Sequence, residues 1–316
     1  MSNGGKIIDT TTGKTGWAGN YGLDGDITVT AGTDNIISAE KLVMSARYTA
    51  NPNKSNTFNV AKDAELTLDG NLLNPWTTID TGARSLVKTG EGTLTLTGEN
   101  NTYSGVTTVS AGTLVIDGTD NSATTIQYAT SAVNVAGGTD NAKLVISGNE
   151  NQSIIIPKVN VNNHGEIEFT SAGKKLTVDT DITVANDGLM RLTVPADLTA
   201  GLLIDGKLEL ESFDSLLIDI SQIALDEEYE LLTATGGIFV GDKTITDTLY
   251  FEQFLKDDTG VLNTFSVVSL ANGGFGLAMN AGSEVPEPAT WVLMILGCLG
   301  IFHISRNSQK KGAFQK

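Results

Sequence analysis

The chain has 316 residues, and 40% apolar residues are enough for a sizeable core, but 35 glycines and only 6% aromatic residues exclude an ordinary helical globule. The formal charge is −17; the segment after Pro288 holds four basic residues and no acid, so the preceding body has 20 − 4 = 16 bases against 37 acids, or −21, a charge that repels nucleic acid and anionic polymers and that reads as a device for solubility or, alternatively, as a weak cation-binding surface. A single cysteine, Cys298, excludes an internal disulfide framework and a thiolate metal site.

The start, residues 1–6, lacks the apolar core of a secretory leader, which conflicts with the reading of the C-terminus given below; either the true start lies upstream, the favoured expectation, or that C-terminal reading is wrong. From Asp26 onward a period of two keeps returning. Residues 39–47, within the pattern-breaking segment 37–50, are read as a short capping helix. A unit of apolar-x-apolar, a turn, and a second apolar-x-apolar eight residues on occurs at Phe58/Val60 with Leu66/Leu68. It recurs at Val159/Val161 with Ile167/Phe169 and at Ile182/Val184 with Met190/Leu192, the last two copies being 23 residues apart. Rungs of the second strand are expected at Leu66, Leu94, Leu114, Leu144, Ile167, Met190 and Leu208, in steps of 28, 20, 30, 23, 23 and 18. Turns of variable length around strands of fixed length suit a β-helix, because insertions project sideways without breaking the stack.

Between these units lies an internal repeat. Gly92-Thr93-Leu94-Thr95-Leu96-Thr97-Gly98 returns 20 residues later as Gly112-Thr113-Leu114-Val115-Ile116-Asp117-Gly118. Alternation puts Leu94 and Leu96 on one face and the threonines on the other, so each copy is a half-buried strand that needs stacked neighbours. With Lys88, Gly90, Asn101, Tyr103 and Gly105, residues 86–118 resemble the autotransporter-associated β-strand repeat. The resemblance covers about a tenth of the chain. It implies a surface β-solenoid and no reaction.

After Leu210 the texture changes. Leu216, Ile218 and Ile220 form a longer alternating strand, and residues 250–255 read as a helical turn. Residues 265–270 and 275–279 form a hairpin around Asn272-Gly273. Residues 213–280 are therefore read as a C-terminal β-rich cap with some antiparallel pairing, following a solenoid over 1–212. Residues 281–288 are a linker ending in Val285-Pro286-Glu287-Pro288, where two prolines hold Glu287 on a stiff, exposed backbone. The uncharged run 289–304, placed in a segment bounded at 305, reaches ~24 Å as a helix, a little short of a ~30 Å hydrocarbon core. Trp291 and Arg306 would anchor it at the two interfaces, with Lys310 and Lys311 in a basic cytoplasmic tail over 306–316. A short buried core helix is the alternative reading of this run.

The order of Val-Pro-Glu-Pro, apolar helix and basic end resembles the PEP-CTERM sorting signal. The resemblance implies an integral-membrane exosortase as partner, recognising Pro286, Glu287 and Pro288. It further implies removal of the apolar helix as the protein passes from the inner membrane to the cell surface.

Chemistry is sparsely signalled. The two histidines are His164, in a turn, and His303, in the apolar tail; no P-loop, nucleophile elbow, zinc-protease helix or calcium-repeat array is present, and no cofactor is expected. The carboxylate sets Asp24/Asp26, Asp179/Asp181 and Asp226/Glu227/Glu228 all fall in expected turns, where Asp is common for backbone reasons. Trp17, Trp76 and Tyr103 are candidate sugar-stacking residues, though buried stacks or caps are the commoner fate of such side chains. The expectation is an all-β, non-enzymatic parallel β-helix with a C-terminal cap and one C-terminal transmembrane helix. It would be a structural or adhesive surface component in contact with exopolysaccharide or other surface glycans. A polysaccharide-binding or polysaccharide-degrading β-helix, and a fragment of a longer autotransporter-like adhesin, are the alternatives.

Overall fold

A computed structural model describes residues 1–9, 20–44, 55–75, 82–119, 123–149, 152–171, 176–194, 201–221, 223, 229–263 and 265–279. Residues Met1–Ala278 form one compact unit. It is an all-β parallel solenoid. Its strands fall, among the described residues, into an 11-stranded and a 16-stranded sheet.

The repeat shows why the coil forms. Strand Thr93–Leu96 buries Leu94 and Leu96 and leaves Thr93 and Thr95 half-exposed. It pairs in parallel with Gly112–Asp117, with Leu94 opposite Leu114 and Leu96 opposite Ile116. Both sequence copies therefore occupy adjacent rungs, as the 20-residue period requires. The same column runs from Leu66 through Leu94, Leu114, Leu144, Ile167 and Met190 to Leu216. Its seven side chains are at most 2% exposed, and each contributes about 1.5–3 kcal/mol by leaving water.

The second ladder, in the 16-stranded sheet, stacks Phe58, Lys88, Val109, Val135, Val161, Val184 and Leu210. A third ladder carries Ile126, Ile154, Val178, Ile204 and Ala234. The last two faces join where the sheet bends. In strand Ser153–Asn162 the register shifts between Ile155 and Lys158, and Pro157, with no N–H to donate, sits at the break. Three faces thus close around one apolar core, leaving open edges only at the ends of the stack.

The pairing expected from the 23-residue copies holds: Val159 lies opposite Ile182 and Val161 opposite Val184, while Ile167 and Phe169 lie opposite Met190 and Leu192. Two expectations are corrected. Residues 39–47 do not start a helix, because Asn35–Met44 is one strand, bent where its register shifts between Ser38 and Lys41. The shift moves burial from Ile37 and Ala39 to the consecutive Leu42, Val43 and Met44, which breaks the period of two and imitates a helical spacing. Residues 45–47 of the expected helix lie outside the described residues. Leu208 and Leu210 belong to the second ladder, opposite Ile182 and Val184, and the first ladder continues from Met190 to Leu216. Alternation has the same period on every face, so the sequence places a rung without saying which face carries it.

Parallel stacking persists beyond residue 212: Tyr229–Ala234 adds to Leu202–Ile204, Ile238–Val240 to Leu208–Leu210, and Leu255–Lys256 to Leu216–Asp219. Antiparallel pairing then covers the stack. Phe275–Met279 runs against Tyr229–Ala234 and lies beside Phe265–Ser269 in the sheet, the two being joined through Gly273 at φ 80°. The helical turn expected at 250–255 appears as the helix Thr248–Phe251 and the 3-10 turn Glu252–Phe254. Phe251 stacks on Phe275 at 4.2 Å between ring centroids. No helix among the described residues is long and apolar enough to cross a membrane; the run 289–304 lies outside them.

Cutting Leu114 to alanine removes an inner rung of the first column and should lower unfolding free energy by about 2–5 kcal/mol, while Thr95→Ala on the outer face should change it by less than about 0.5. Urea denaturation of both variants, with equal losses as the disproving result, checks the assignment of faces.

Candidate functional site

The most distinctive local chemistry is in the repeat and in the polar turns beside it. Gly90, which follows one strand into a turn, and Gly112, which ends the turn of the next rung as its strand begins, have φ of 73° and 65°. A Cβ at Gly90 would lie 2.3 Å from the Val60 carbonyl oxygen, and one at Gly112 would lie 2.4 Å from that of Gly90. Glycine is required at both, because each turn rests directly on the backbone of the turn below.

Lys88 is fully buried in the second column, between Phe58 and Val109. Its Nζ donates to the carbonyl oxygens of Thr89 at 2.9 Å, Gly90 at 2.7 Å and Ala111 at 3.1 Å. The ammonium thus ties the turn at Gly90 to the next one, at Ala111. Burial lowers its pKa from the usual lysine value of 10.5 to about 8. Asn101, also fully buried, accepts the Leu72 N–H at 2.9 Å and donates to the Gly98 carbonyl at 2.8 Å. Asn35 bridges rungs in the same way, donating to the carbonyls of Ala31, Gly32 and Glu65 and accepting the Gly5 N–H.

Tyr103, expected to be either a sugar-stacking residue or a buried one, is 1% exposed. Its hydroxyl lies 2.7 Å from Thr107 Oγ1, which lies 3.1 Å from Thr130 Oγ1, and Thr130 donates to the Gly105 carbonyl at 2.6 Å. Burial pushes the phenol up to about 12, against the pull of Thr107 and Thr130. Tyr128 is equally buried, its pKa raised by burial and then by Tyr103 and Asp117, and its hydroxyl has no hydrogen-bond partner among the described residues. In the sequence Lys88 and Asn101 stand out only as part of the repeat signature. Their polar type gives no hint of burial; the register that stacks them inside the coil does.

Two polar grooves flank the 11-stranded sheet. One, about 540 Å³, lies where the chain enters the strands and is lined by Glu91, Asp140, Asn141, Lys143, His164 and Glu166, among others. The other, about 510 Å³, lies where it leaves them, beside Asp69, Thr97, Glu99 and Asp117. Lys143 pairs with Glu166 at 3.0 Å and with Glu168, and Arg191 Nε reaches Glu166 at 3.3 Å. Partial burial works against the Lys143 charge, but the hydrogen bonds to Glu168 and Glu166 prevail and raise its pKa. His164 sits in the expected turn with φ of 63°, its Nδ1 3.1 Å from the Gly138 carbonyl.

Of the carboxylate sets, Asp24/Asp26 and Asp179/Asp181 join no acidic cluster among the described residues. Asp24 and Asp26 are in a loop as expected, but Asp179 and Asp181 lie on strand Leu176–Val184, exposed on either side of buried Thr180, which corrects their placement in a turn. The strand bends there, so two outward carboxylates flank an inward residue. Among the described residues no group of three or more His, Cys, Asp or Glu side chains could hold a metal. Asp226, Glu227, Glu228, Trp17, Trp76, the sorting motif Val285-Pro286-Glu287-Pro288 and the anchors Trp291, Arg306, Lys310 and Lys311 lie outside the described residues.

A family model described as Passenger-associated-transport-repeat matches residues 86–116. This bears out the autotransporter-associated character of the repeat, and such a repeat suggests an exported or surface protein. No curated protein and no solved structure matches the chain. Within the matched passenger-associated repeat, Leu94, Leu96, Leu114 and Ile116 are core residues, Lys88 ties the turn at Gly90 to that at Ala111, and Asn101 closes its own turn onto the Gly98 carbonyl.

The lowered pKa of Lys88 gives a signed pH dependence. Between about 8 and 10.5 the unfolded chain keeps the proton that the folded chain has released, so this residue makes stability rise with pH across that window. Replacing Lys88 with methionine keeps the volume but should destabilise the fold at neutral pH by about 1–3 kcal/mol, since buried carbonyls lose their donor. The stability gap between the native protein and Lys88→Met should widen on raising the pH through the window. A constant gap from pH 8 to 10.5 would contradict the buried ammonium.

Proposed function

We propose that this protein is an exported, non-enzymatic β-solenoid of the cell surface or polysaccharide matrix, serving as a spacer and adhesive shaft. The observation that carries the reading is the passenger-associated repeat set as two adjacent rungs in a parallel solenoid, with its leucines inside and its threonines outside. A coil of this kind transmits length at about 4.8 Å per rung and presents a regular hydroxyl-bearing face. The acidic body, at −21 before Pro288, keeps such molecules soluble and mutually repelling.

The C-terminal segment supplies the delivery step in this reading. Pro286 and Pro288 hold Glu287 on an extended backbone that a membrane-embedded exosortase would grip. The run 289–304 would lodge in the inner membrane, with Trp291 at one interface and Arg306, Lys310 and Lys311 on the cytoplasmic side, until it is released.

Replacing Pro286, Glu287 and Pro288 together with alanine should trap the protein in the inner membrane with its tail intact. Cell fractionation and the mass of the C-terminal peptide read the outcome, and delivery and tail removal at the normal level would refute the sorting role.

A further inference from the structure

The groove of about 540 Å³ is within the size range of ligand sites but lacks their usual apolar lining. Its lining mixes donors and acceptors: the Lys143 ammonium, the Asn141 amide, the His164 imidazole, and the carboxylates of Glu91, Asp140 and Glu166. A wall of this composition suits a ligand that exchanges many hydrogen bonds with water for many with protein, which describes a saccharide.

Two details narrow the class. The Gly138 carbonyl can only accept, so His164 Nδ1 is the donor in their hydrogen bond. The charges are also unbalanced. Glu166 is engaged by both Lys143 and Arg191, Lys143 is held by Glu168 as well, Glu91 has only a solvent-exposed pairing with Lys62 at 3.7 Å, and Asp140 has no side-chain partner among the described residues. The groove can therefore neutralise a positive ligand and repels a negative one.

We propose that this groove binds a chain of amine-bearing sugars, with the sugar ammonium groups set against Glu91 and Asp140 and the ring hydroxyls against Asn141, Lys143 and His164. This deepens the reading of the chain as a surface component among glycans and rests on it. The whole body is acidic, however, so generic attraction of any polycation must be separated from recognition in the groove.

Calorimetric titration of the purified full chain with a linear glucosamine tetramer tests the assignment. Glu91→Gln/Asp140→Asn should weaken binding about tenfold, whereas Asp34→Asn/Asp242→Asn, which removes the same charge from exposed positions outside the groove, should leave it unchanged. Spermine should be indifferent to which pair is replaced, and a galacturonic acid tetramer should not bind. Equal losses in the two double variants, no binding of the glucosamine tetramer, or binding of the galacturonic acid tetramer as tight as that of the glucosamine tetramer would overturn the proposal. Those results concern the groove alone, since delivery to the surface is read separately by the fate of the Pro286-Glu287-Pro288 variant in cells.

Discussion

Parallel in-register stacking governs this molecule. Once Leu94 lies on Leu66 and Leu114 on Leu94, each new strand inherits both its register and its inward face from the one below. A slip of one residue would turn a whole row of leucines and isoleucines outward, so burial enforces the register at every rung. The connections are under no such constraint. Steps along the first column vary from 20 residues between Leu94 and Leu114 to 30 between Leu114 and Leu144, because extra residues loop out sideways.

The same geometry explains the buried polar groups. Each turn brings backbone carbonyls of two rungs close together, and these need donors wherever the ladder is interrupted. Asn35 and Lys88 meet that need from within the coil by donating to a carbonyl of the neighbouring rung, and Asn101 serves the neighbouring rung in the opposite sense, by accepting the Leu72 N–H. Lysine is the costliest of the three, since its ammonium has carbonyl dipoles and no carboxylate among the contacts that hold it. Its contacts run from Thr89 to Ala111. A polar residue placed inside therefore works as a rivet between rungs, and removing the partner of a buried carbonyl costs more than the hydrogen bond gains.

Structure and proposed role meet on the outer surface. A shaft must keep its shape over many rungs, avoid sticking to itself, and still offer points of attachment. The closed coil and its antiparallel end serve the first two needs by withdrawing strand edges from solvent. Attachment then falls to the turn regions, where side chains are free of the packing that fixes the column residues. The grooves beside the 11-stranded sheet are such regions, and their polarity follows from the turn residues that form them.

Sequence alone determined the fold class, the identity of the stacked repeat and the register of the 23-residue copies. Alternation and spacing encode those directly: an apolar residue every second position must face a core, and two similar units must stack. Other features were decided only in three dimensions. Leu208 shows the period of two whichever ladder it joins, and its place opposite Ile182 depends on the length of every turn before it. Residues 39–44 look helical in sequence because a bend in the strand breaks their alternation. The burial of Lys88, the union of Tyr103 with Thr107 and Thr130, and the gathering of Glu91, Asp140 and His164 along one groove follow from contacts between rungs 20 to 30 residues apart. No local pattern carries that information, since the stack itself sets which turns become neighbours.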